Sequence, residues 1–392
     1  MSNVLILDGN QRSALAATRS LGMKGITVFV SEESSQSLSG CSKYCSRQIQ
    51  LPPIATDPDN FINELCSTIS KHRIEVLLPM TDISTTNILQ NKDRFINVGL
   101  PTPSFKSYSQ ATNKNVLFRL AATLNIRIPQ TRFIDNISDL DPLIDDLTYP
   151  LVIKPSLSRV CINNLWITTT VLFAYSKYHL LDIVNNHEWL RNCPFMLQEF
   201  IKGHGQGIFA FYNNGTPVTF FAHKRIREKP PSGGVSVLHE SVAVDPDMKC
   251  IAETLLTNIG WHGAAMVEFK IAMDGTPYLM EINGRFWGSL QLAIDSGLDF
   301  PYLAYLLAIG ETLPSISRYK SNIRSRWLLG DLDRLYLVLK ADSSTYSIRT
   351  KLHEIFEFMK FYSRDTYYEV NRFSDFRPFI YELKSYIKGL VI

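Results

Sequence analysis

The sequence has no cysteine pattern that would define a metal or disulfide site. Its six cysteines are scattered over 392 residues and none forms a CxxC pair, so nothing in their spacing indicates zinc, and free thiols in a reducing cytoplasm are expected. No apolar run approaches the roughly 20 residues that a membrane-spanning helix needs. The start, MSNVLILDGN, lacks the basic and long apolar regions of a signal peptide and predicts a first strand instead.

An excess of charge of either sign is also missing. Lysine and arginine total 40 and aspartate and glutamate 37, for a net charge of +3. So small a net charge gives no argument for binding to nucleic acid or to a membrane surface. The hydrophobic fraction of 45% is ordinary for a globular protein, and the length predicts two or three domains. We therefore expect a cytoplasmic globular protein with neither nucleic-acid nor membrane partners.

The first hundred or so residues alternate short apolar strands with helices. Strands are predicted at 4–7, 26–30 and 76–79, and helices at 12–21 and 59–71. This order predicts a parallel sheet with right-handed crossovers. The turn after the first strand contains Gly9 alone, so the GxGxxG dinucleotide fingerprint is absent. The rest of the chain mixes strands and helices, with a hairpin predicted at Asn214-Gly215, and residues 313–392 read as mostly helical.

Two acidic stretches, AMVEFK (265–270) and LMEINGR (279–285), point most directly to chemistry. Asp274-Gly275 lies between them and predicts a two-residue turn in which Met273 faces Thr276. The resulting register leaves one face of the hairpin apolar, with Val267, Phe269, Ile271, Tyr278, Met280 and Ile282.

The other face of the predicted hairpin opposes two carboxylates. Glu268 lies opposite Glu281, with Asn283 two residues further along. Because facing like charges destabilise a sheet, protonation or a cation between them is expected, and two carboxylates with an amide oxygen suit Mg²⁺. A solvated strand face with a chance register is the alternative. A three-residue loop would shift the register by one and remove the argument.

Several cationic residues stand where an anionic ligand would explain them. Lys154 ends an apolar strand, and Lys114 begins a helix, where its charge opposes the positive helix terminus; each can equally be a solvent-facing lysine. On the basic stretch 223–229, alternation places His223, Arg225 and Arg227 on one face. That face suits phosphate or carboxylate, or it is simply a solvated basic strand.

Two further segments have two interpretations each. Arg285 follows the acidic hairpin, where it could neutralise an acyl phosphate or a tetrahedral oxyanion, or form a structural ion pair with Glu281. The segment FMLQEFIKG (195–203) predicts a strand. Its exposed backbone edge could pair with an adenine, or it is an ordinary strand.

Taken in order, these residues resemble the ATP-grasp superfamily. The series is Lys114, Lys154, Gln198-Glu199-Phe200-Ile201, Glu268, and Glu281-x-Asn283-x-Arg285. The likeness spans about residues 1–310, and the stretches 223–242, 261–270 and 280–303 look like the carboxylate–amine ligase-like branch. It implies an α/β and α+β multidomain fold: a Rossmann-like pre-ATP-grasp domain at 1–105, an ATP-grasp domain at 106–312, and a mostly helical extension at 313–392.

The resemblance also implies a role for each matching residue. The phosphates of ATP would be held by Lys114 and Lys154, and the adenine by backbone groups of Glu199, Phe200 and Ile201. One or two Mg²⁺, with Mn²⁺ as an alternative, would be bound by Glu268, Glu281 and Asn283. The reacting phosphoryl or tetrahedral intermediate would be stabilised by Arg285, with Arg225 and Arg227 beside it.

The sequence departs from the family pattern in two places. The segment 156–166, where the family often has a glycine-rich loop over the phosphates, contains no glycine, so its N–H groups are less free to reach phosphate. The glutamate that usually grips the ribose is also missing. Residues 203–206 read Gly-His-Gly-Gln, and Gln206 or His204 would have to substitute.

The family reaction phosphorylates a carboxylate and lets an amine attack the acyl phosphate, releasing ADP and phosphate. The implied partners are ATP and small carboxylate and amine substrates, and homodimers are common in the family. Two alternatives remain: a catalytically weak Mg-ATP-binding module acting as a sensor or scaffold, and a carboxylase-type subunit acting on bicarbonate.

Overall fold

The computed structural model describes residues 2–157, 159–162, 165–316, 318–361 and 364–391. Its helices are α1 (Arg12–Met23), α2 (Pro58–His72), α3 (Asp82–Gln90), α4 (Phe105–Thr112), α5 (Lys114–Thr123), α6 (Lys177–Asn186), α7 (Glu188–Asn192), α8 (Pro246–Asn258), α9 (Leu290–Asp295), α10 (Phe300–Ala308), α11 (Leu328–Lys340), α12 (Ile348–Phe358) and α13 (Arg377–Val391). Its strands are β1 (Asn3–Ile6), β2 (Thr27–Glu32), β3 (Arg47–Gln50), β4 (Ile74–Leu78), β5 (Thr131–Ile134), β6 (Leu151–Pro155), β7 (Arg159–Ile162), β8 (Leu165–Thr168), β9 (Leu172–Ala174), β10 (Phe195–Glu199), β11 (Gly203–Asn213), β12 (Thr216–Lys229), β13 (Val235–Val242), β14 (Gly263–Ala272), β15 (Pro277–Asn283), β16 (Arg324–Arg326) and β17 (Thr366–Tyr368).

The first four strands form a parallel sheet in the order β3-β2-β1-β4. This confirms the parallel α/β unit predicted from the alternation of strands and helices. The sequence did not predict β3, because its residues, Arg-Gln-Ile-Gln, contain a single apolar side chain. An edge strand with little burial leaves no apolar run to recognise.

Two further sheets follow, antiparallel except for the parallel pair β16–β17. One sheet has the order β5-β10-β6-β9, and a seven-stranded sheet has the order β15-β14-β11-β12-β13-β16-β17. The predicted hairpin at Asn214-Gly215 is confirmed, since Asn213 pairs with Thr216 and both turn residues have positive φ. A parallel α/β sheet, antiparallel sheets and C-terminal helices thus follow one another as the sequence indicated.

Separate hydrophobic clusters cover the two faces of the seven-stranded sheet. One contains Phe209 and Met266 and packs against α1, α9 and α10. The other contains Ile208 and Val267 and packs against α5 and α8. Successive residues of β11 and β14 therefore alternate between two cores until the strands approach the hairpin loop. Among the described residues, no helix combines the length and apolarity needed to cross a bilayer.

The C-terminal segment joins both ends of the molecule. The short strands β16 and β17 extend the large sheet, and the chain then returns to α1. There the Arg19 guanidinium donates to Asp375 Oδ2 at 2.8 Å and to the carbonyls of Glu369 and Val370, each at 2.8 Å. Arg19 and Asp375 are both 3% exposed, so this buried pair ties the first sheet to the end of the chain.

Replacing Arg19 by Met is expected to lower the free energy of unfolding by about 3–5 kcal/mol, because it leaves a buried carboxylate without its cation. Urea unfolding measures the loss. Lys24, on the same segment, forms an exposed ion pair with Asp299, and Lys24→Met should cost no more than about 1 kcal/mol. Equal losses of unfolding free energy in the two variants would show that the buried pair contributes no more to stability than the exposed one.

Candidate nucleotide and metal site

The acidic hairpin of β14 and β15 closes with a three-residue loop. The Ala272 N–H donates to the Thr276 carbonyl at 2.9 Å, and Gly275 takes the left-handed conformation with φ of +87°. The predicted two-residue turn with Met273 facing Thr276 is therefore wrong. A type of loop that ends in a left-handed glycine is common in hairpins of this length. Near the loop, the strands are accordingly paired one residue away from the predicted register.

A β-bulge restores the predicted register at the glutamates. Between Phe269 and Glu268 the register shifts by one residue, so that Glu268 lies opposite Glu281. The extra residue is Met280, and Leu279 takes its predicted place in the core, with 0% exposure. The bulge changes the direction of the Met280 side chain. Its Sδ lies 3.3 Å from Lys154 Nζ. The two irregularities cancel, and the carboxylates face each other as predicted.

The Asn283 side chain bridges the two carboxylates. Its Nδ2 donates to Glu268 Oε1 at 3.1 Å and to Glu281 Oε1 at 3.2 Å. A positively polarised group thus lies where both carboxylates converge, which is the position that a cation would take. Half a turn of the amide would present its oxygen to that cation.

These donors fit a hard cation such as Mg²⁺. Within the described ranges, no group of three or more His, Cys, Asp and Glu side chains is placed so that it could hold a metal ion. The set of two carboxylates and one amide would therefore need further oxygen ligands from phosphate or water, as Mg²⁺ sites in nucleotide-binding proteins commonly do.

Both predicted lysines converge on this hairpin. Lys114 Nζ lies 3.1 Å from Glu281 Oε2. The Asn113 side chain caps α5 by accepting from the Val116 N–H at 3.2 Å. The Lys114 N–H donates to the Ser156 carbonyl at 2.8 Å, which places the start of the helix beside the end of β6. Two largely buried ammonium groups thus stand next to the acidic face, where a polyphosphate could meet them.

The charges of the site shift one another's proton affinity. The Lys114 ammonium is the main reason that the pKa of Glu281 is lowered to about 2. Burial is the main reason that the pKa of Lys154 is lowered to about 8, and the nearby Lys114 charge lowers it further. Burial raises the pKa of Glu268, although Arg225 opposes this. Neighbouring cations therefore relieve the repulsion that the facing glutamates would otherwise have.

Raising the pH from 7 to 9 is expected to weaken the binding of Mg-ATP. The Lys154 ammonium, with its pKa of about 8, loses its proton across this interval, and bound phosphate favours the charged form. Affinity should therefore fall as the pH passes through the pKa of the free protein, by up to about tenfold per pH unit. Calorimetry with a non-hydrolysable ATP analogue measures this. Lys154→Arg stays charged and should remove most of the slope; an unchanged slope would exclude Lys154 as the titrating group.

Arg225 reaches the acidic face from a neighbouring strand. Its guanidinium donates to Glu268 Oε2 at 2.5 Å and to Glu228 Oε1 at 2.9 Å. The side chain passes over β11 at Gly205, where a Cβ would lie 3.3 Å from Arg225 Cδ. The missing side chain at Gly205 keeps this path across the sheet open.

Arg227 does not share the face of Arg225. A β-bulge at Ile226 separates them, because Arg225 pairs with His239 and Arg227 with the adjacent Leu238. The Arg227 guanidinium forms an ion pair with Asp331 of α11 at 2.7 Å. The prediction that alternation places both arginines on one face is therefore wrong, since one extra residue reverses the faces of a strand.

Arg285 forms an ion pair, but not with the predicted structural partner. Its Nε donates to Asp82 Oδ2 at 3.0 Å and its Nη1 to the Phe286 carbonyl at 3.1 Å. Asp82 begins α3, directly after the first sheet. Arg285 thus links the acidic hairpin to the N-terminal region, and its partner is Asp82 rather than Glu281.

The segment predicted to contact adenine lies between the two antiparallel sheets. Glu199 ends β10 and exchanges two hydrogen bonds with the Gln130 backbone, one of 3.0 Å through its N–H and one of 2.9 Å through its carboxylate. Phe200 follows, half exposed, in an edge-to-face contact with Phe173, and Ile201 precedes β11. The N–H and the carboxylate of Glu199 are thereby both committed to Gln130, so a ligand would have to use the other backbone groups of this segment.

The structure does not bring Gln206 together with the acidic face. Gln206 pairs with Phe269, whereas Gly207 pairs with Glu268. Directly paired residues share a face of a sheet, so Gln206 lies on the opposite face from Glu268. Its Nε2 is 3.0 Å from His204 Nε2.

Two other parts of the site complete the comparison with the sequence. The glycine-free segment 156–166 contains β7 and the start of β8, which form a hairpin, while Ser158, Asn163 and Asn164 lie outside the described residues. Asp82 and Met280 were not among the predicted site residues. The signal for Asp82 was its place just after a parallel strand, where ligands commonly bind; Met280 gave none.

Comparison with known proteins gives three kinds of result. Residues 191–330 match the model of a family described as ATP-grasp in the biosynthetic pathway with Ter operon. No protein with a curated description matches the sequence. Among solved structures, the chain is similar to L-amino acid ligase from Bacillus licheniformis, with 17% identity and a TM-score of 0.62 over 80% of this chain and 75% of that one.

Two other solved structures carry bound nucleotide. The biotin carboxylase domain of 2-oxoglutarate carboxylase from Hydrogenobacter thermophilus, a dimer in complex with MgADP and bicarbonate, has 13% identity and a TM-score of 0.63 over 82% of this chain and 73% of that one. N5-carboxyaminoimidazole synthetase from Staphylococcus aureus, in complex with ADP, has 14% identity and a TM-score of 0.63 over 82% and 80%. At these identities the structures establish a common fold.

Proposed function

We propose that this chain is an ATP-grasp superfamily protein and an ATP-dependent ligase that joins a carboxylate to an amine through an acyl phosphate. The observation that carries the proposal is the convergence of two lysines with two facing glutamates. Lys114 contacts Glu281 at 3.1 Å, and Lys154 lies against Met280, next to that glutamate. Phosphoryl transfer needs cations and metal ligands held in this kind of arrangement.

In this proposal, Lys114 and Lys154 bind the phosphates of ATP. Backbone groups of Glu199, Phe200 and Ile201 bind the adenine, at the junction of the two antiparallel sheets. Buried ammonium groups favour polyphosphate because little water competes for them. Gln206 lies on the other face of the sheet from Glu268 and is given no part in binding the nucleotide.

Glu268, Glu281 and Asn283 are proposed to hold Mg²⁺, with Mn²⁺ as an alternative. The bound cation supplies charge neutralisation to the phosphoryl group in transfer. Arg285 stabilises the charge that develops on the reacting phosphoryl or the tetrahedral intermediate, and Arg225 fixes Glu268 in place. Arg227, paired with Asp331 on the other face of the sheet, is given no part in the reaction.

The three segments also receive proposed roles. Residues 1–105 supply Asp82 and one wall of the site, residues 106–312 hold the nucleotide, and residues 313–392 brace the large sheet. We propose these boundaries as those of the domains.

Release of ADP in the presence of substrates tests the function. Purified protein is incubated with ATP, Mg²⁺ and pools of amino acids and other small carboxylates and amines, and coupled products are identified by mass spectrometry. The expected result is ADP release that depends on both a carboxylate and an amine, together with a product of the combined mass less water. The absence of ADP release across broad pools would contradict the proposal.

The same assay separates the alternatives. Release of ADP that depends on bicarbonate would favour a carboxylase-type subunit. The similarity to the bicarbonate-bound biotin carboxylase domain is the reason to test this alternative. Tight binding of Mg-ATP without turnover under any acceptor would favour a sensor or scaffold.

A further inference from the structure

Gln198, near the end of β10, carries a buried hydrogen-bond acceptor without a partner. Its side chain is 1% exposed, and its Nε2 donates to Thr131 Oγ1 at 2.9 Å. Among the described residues, no donor contacts the other amide atom, Oε1. A buried polar atom that makes no hydrogen bond costs free energy, and a ligand that brings a donor to it would remove this cost.

The hydrogen bonds of Thr131 fix the orientation of the Gln198 amide. The Thr131 hydroxyl donates its only hydrogen to the Pro129 carbonyl at 2.7 Å, so Thr131 Oγ1 can only accept from Gln198. The amide therefore places its NH₂ group against Thr131. Because the oxygen of an amide projects in a different direction from its nitrogen, Oε1 points away from Thr131. The free atom of Gln198 is thus an acceptor and cannot be a donor.

Gln198 lies on the face of its sheet that looks towards the acidic hairpin. It pairs with Val152 of β6, and Lys154 lies two residues further along β6, on the same face. Lys154 contacts Met280 of the hairpin. The adjacent Leu197 points to the opposite face, where it packs in a separate hydrophobic cluster. Gln198 therefore faces the same cleft as the lysine that is proposed to bind phosphate.

Apolar side chains adjoin the Gln198 acceptor. Val152 pairs with Phe173 of the edge strand β9, so Gln198, Val152 and Phe173 follow one another in a row across one face of the sheet. Phe173 is 36% exposed and contacts Phe200, which is 46% exposed. An acceptor at one end of a row of apolar and aromatic side chains suits a planar heterocycle that carries a donor on its edge.

We propose that Gln198 Oε1 accepts a hydrogen bond from the 6-amino group of adenine and so makes the protein selective for ATP among nucleoside triphosphates. The inference rests on the proposed function, in which Lys154 binds the phosphates and residues 199–201 contact the base. Adenine presents its amino donor at the position where guanine presents a carbonyl oxygen. Guanine would place that oxygen against Oε1, and two buried acceptors cannot satisfy each other. Thr131 is the positioning residue that keeps the acceptor directed at the base.

Two triphosphates that differ only in the amino group test the proposal. Isothermal calorimetry of the full-length protein with Mg²⁺, without carboxylate or amine, compares ATP with purine riboside triphosphate, which has hydrogen in place of the amino group. ATP is expected to bind about tenfold more tightly, the scale of one hydrogen bond in a buried site. GTP is expected to bind more weakly than either.

Variants assign the preference to Gln198. Gln198→Met has a side chain of similar length without an acceptor, and it should bind ATP and purine riboside triphosphate equally. Thr131→Val leaves the amide free to rotate and should reduce the preference for ATP, whereas Thr131→Ser keeps the hydroxyl and should retain it. As a matched control, Gln50→Met makes the same change at an exposed residue of β3 and should leave both affinities unchanged.

Three results would overturn the proposal. These are equal affinity of the wild-type protein for ATP and purine riboside triphosphate, binding of GTP as tight as that of ATP, or a preference that Gln198→Met leaves intact. The first two are measured on the wild-type protein and do not depend on the stability of a variant.

The selectivity of binding and the ligase reaction are measured separately. Selective binding of ATP without formation of any amide would contradict the proposed function and leave the role of Gln198 standing. Amide formation supported equally well by ATP and purine riboside triphosphate, with equal affinities, would refute the role of Gln198 and leave the ligase standing.

Discussion

Glu281→Gln is expected to lower the rate of ATP turnover by about 100-fold or more, the scale seen when one well-placed electrostatic group is removed from an active site. The substitution keeps the shape of the side chain and removes its charge. The metal site then keeps a single carboxylate, Glu268, whose pKa burial already raises. The Lys114 ammonium also loses the partner that lies 3.1 Å away. ADP release under saturating substrate measures the change.

The same substitution should leave the protein folded, at a modest cost in stability. The Glu281 side chain is itself 31% exposed, but the Lys114 side chain, 10% exposed, loses its carboxylate partner, so the free energy of unfolding should fall by about 1–3 kcal/mol while unfolding stays cooperative. Glu311→Gln replaces an exposed carboxylate outside the site and should change neither quantity. Loss of cooperative unfolding in Glu281→Gln would make this residue structural, and full turnover would remove it from the metal site.

Arg285→Ala is expected to reduce turnover by a similar factor, about 100-fold to 1000-fold, while Mg-ATP still binds. An arginine that acts on the charge developing during transfer contributes little to the ground state, so the loss should appear in kcat rather than in nucleotide affinity. Initial rates at varied ATP and isothermal calorimetry distinguish the two effects.

The ion pair with Asp82 offers a purely structural explanation for Arg285, and Asp82→Asn tests it. Arg285 Nε donates to Asp82 Oδ2 at 3.0 Å. If the arginine only fastens the hairpin to the N-terminal region, then removing either partner should have the same effect on turnover. If it acts on the substrate, Asp82→Asn leaves the guanidinium in place and should retain most of the activity. Matching losses in the two variants would refute the catalytic role.

The sequence predicted the facing glutamates by a route that was partly wrong. The loop is one residue longer than expected, and the bulge at Met280 returns the strands to the expected register. Turn residues show where a hairpin reverses, but a bulge arises from packing. Here Leu279 rather than Met280 occupies the core, a choice between two apolar neighbours that no local pattern decides.

The alternation of side chains along a strand did not predict the correct face where the strand contains a bulge or is buried on both faces. The bulge at Ile226 sends Arg227 to Asp331, which lies far along the chain, and no local pattern indicated that partner. For Gln206 the alternation itself was regular, and the error lay in assuming which face the nucleotide site would use. Residue types and order thus indicated the fold, whereas the side to which each side chain points depended on distant partners.

The C-terminal segment shows a related limit. Its helices were expected, but β16 and β17 are three residues each, and such strands form only because β13 offers an edge. Three residues are too few to show the alternation by which a strand is predicted. The contact of Arg19 with Asp375 spans 356 positions of sequence, so only the folded chain reveals it.

That contact changes how the tail should be regarded. The last part of the chain binds the first helix through the hydrogen bonds of Arg19. The two ends of the chain are therefore held together without a covalent bond. Proteolysis that removes a C-terminal segment including Asp375 would break this link and leave the buried guanidinium of Arg19 without its carboxylate partner. Loss of this C-terminal segment should therefore lower the free energy of unfolding as much as a disruptive substitution in the hydrophobic core.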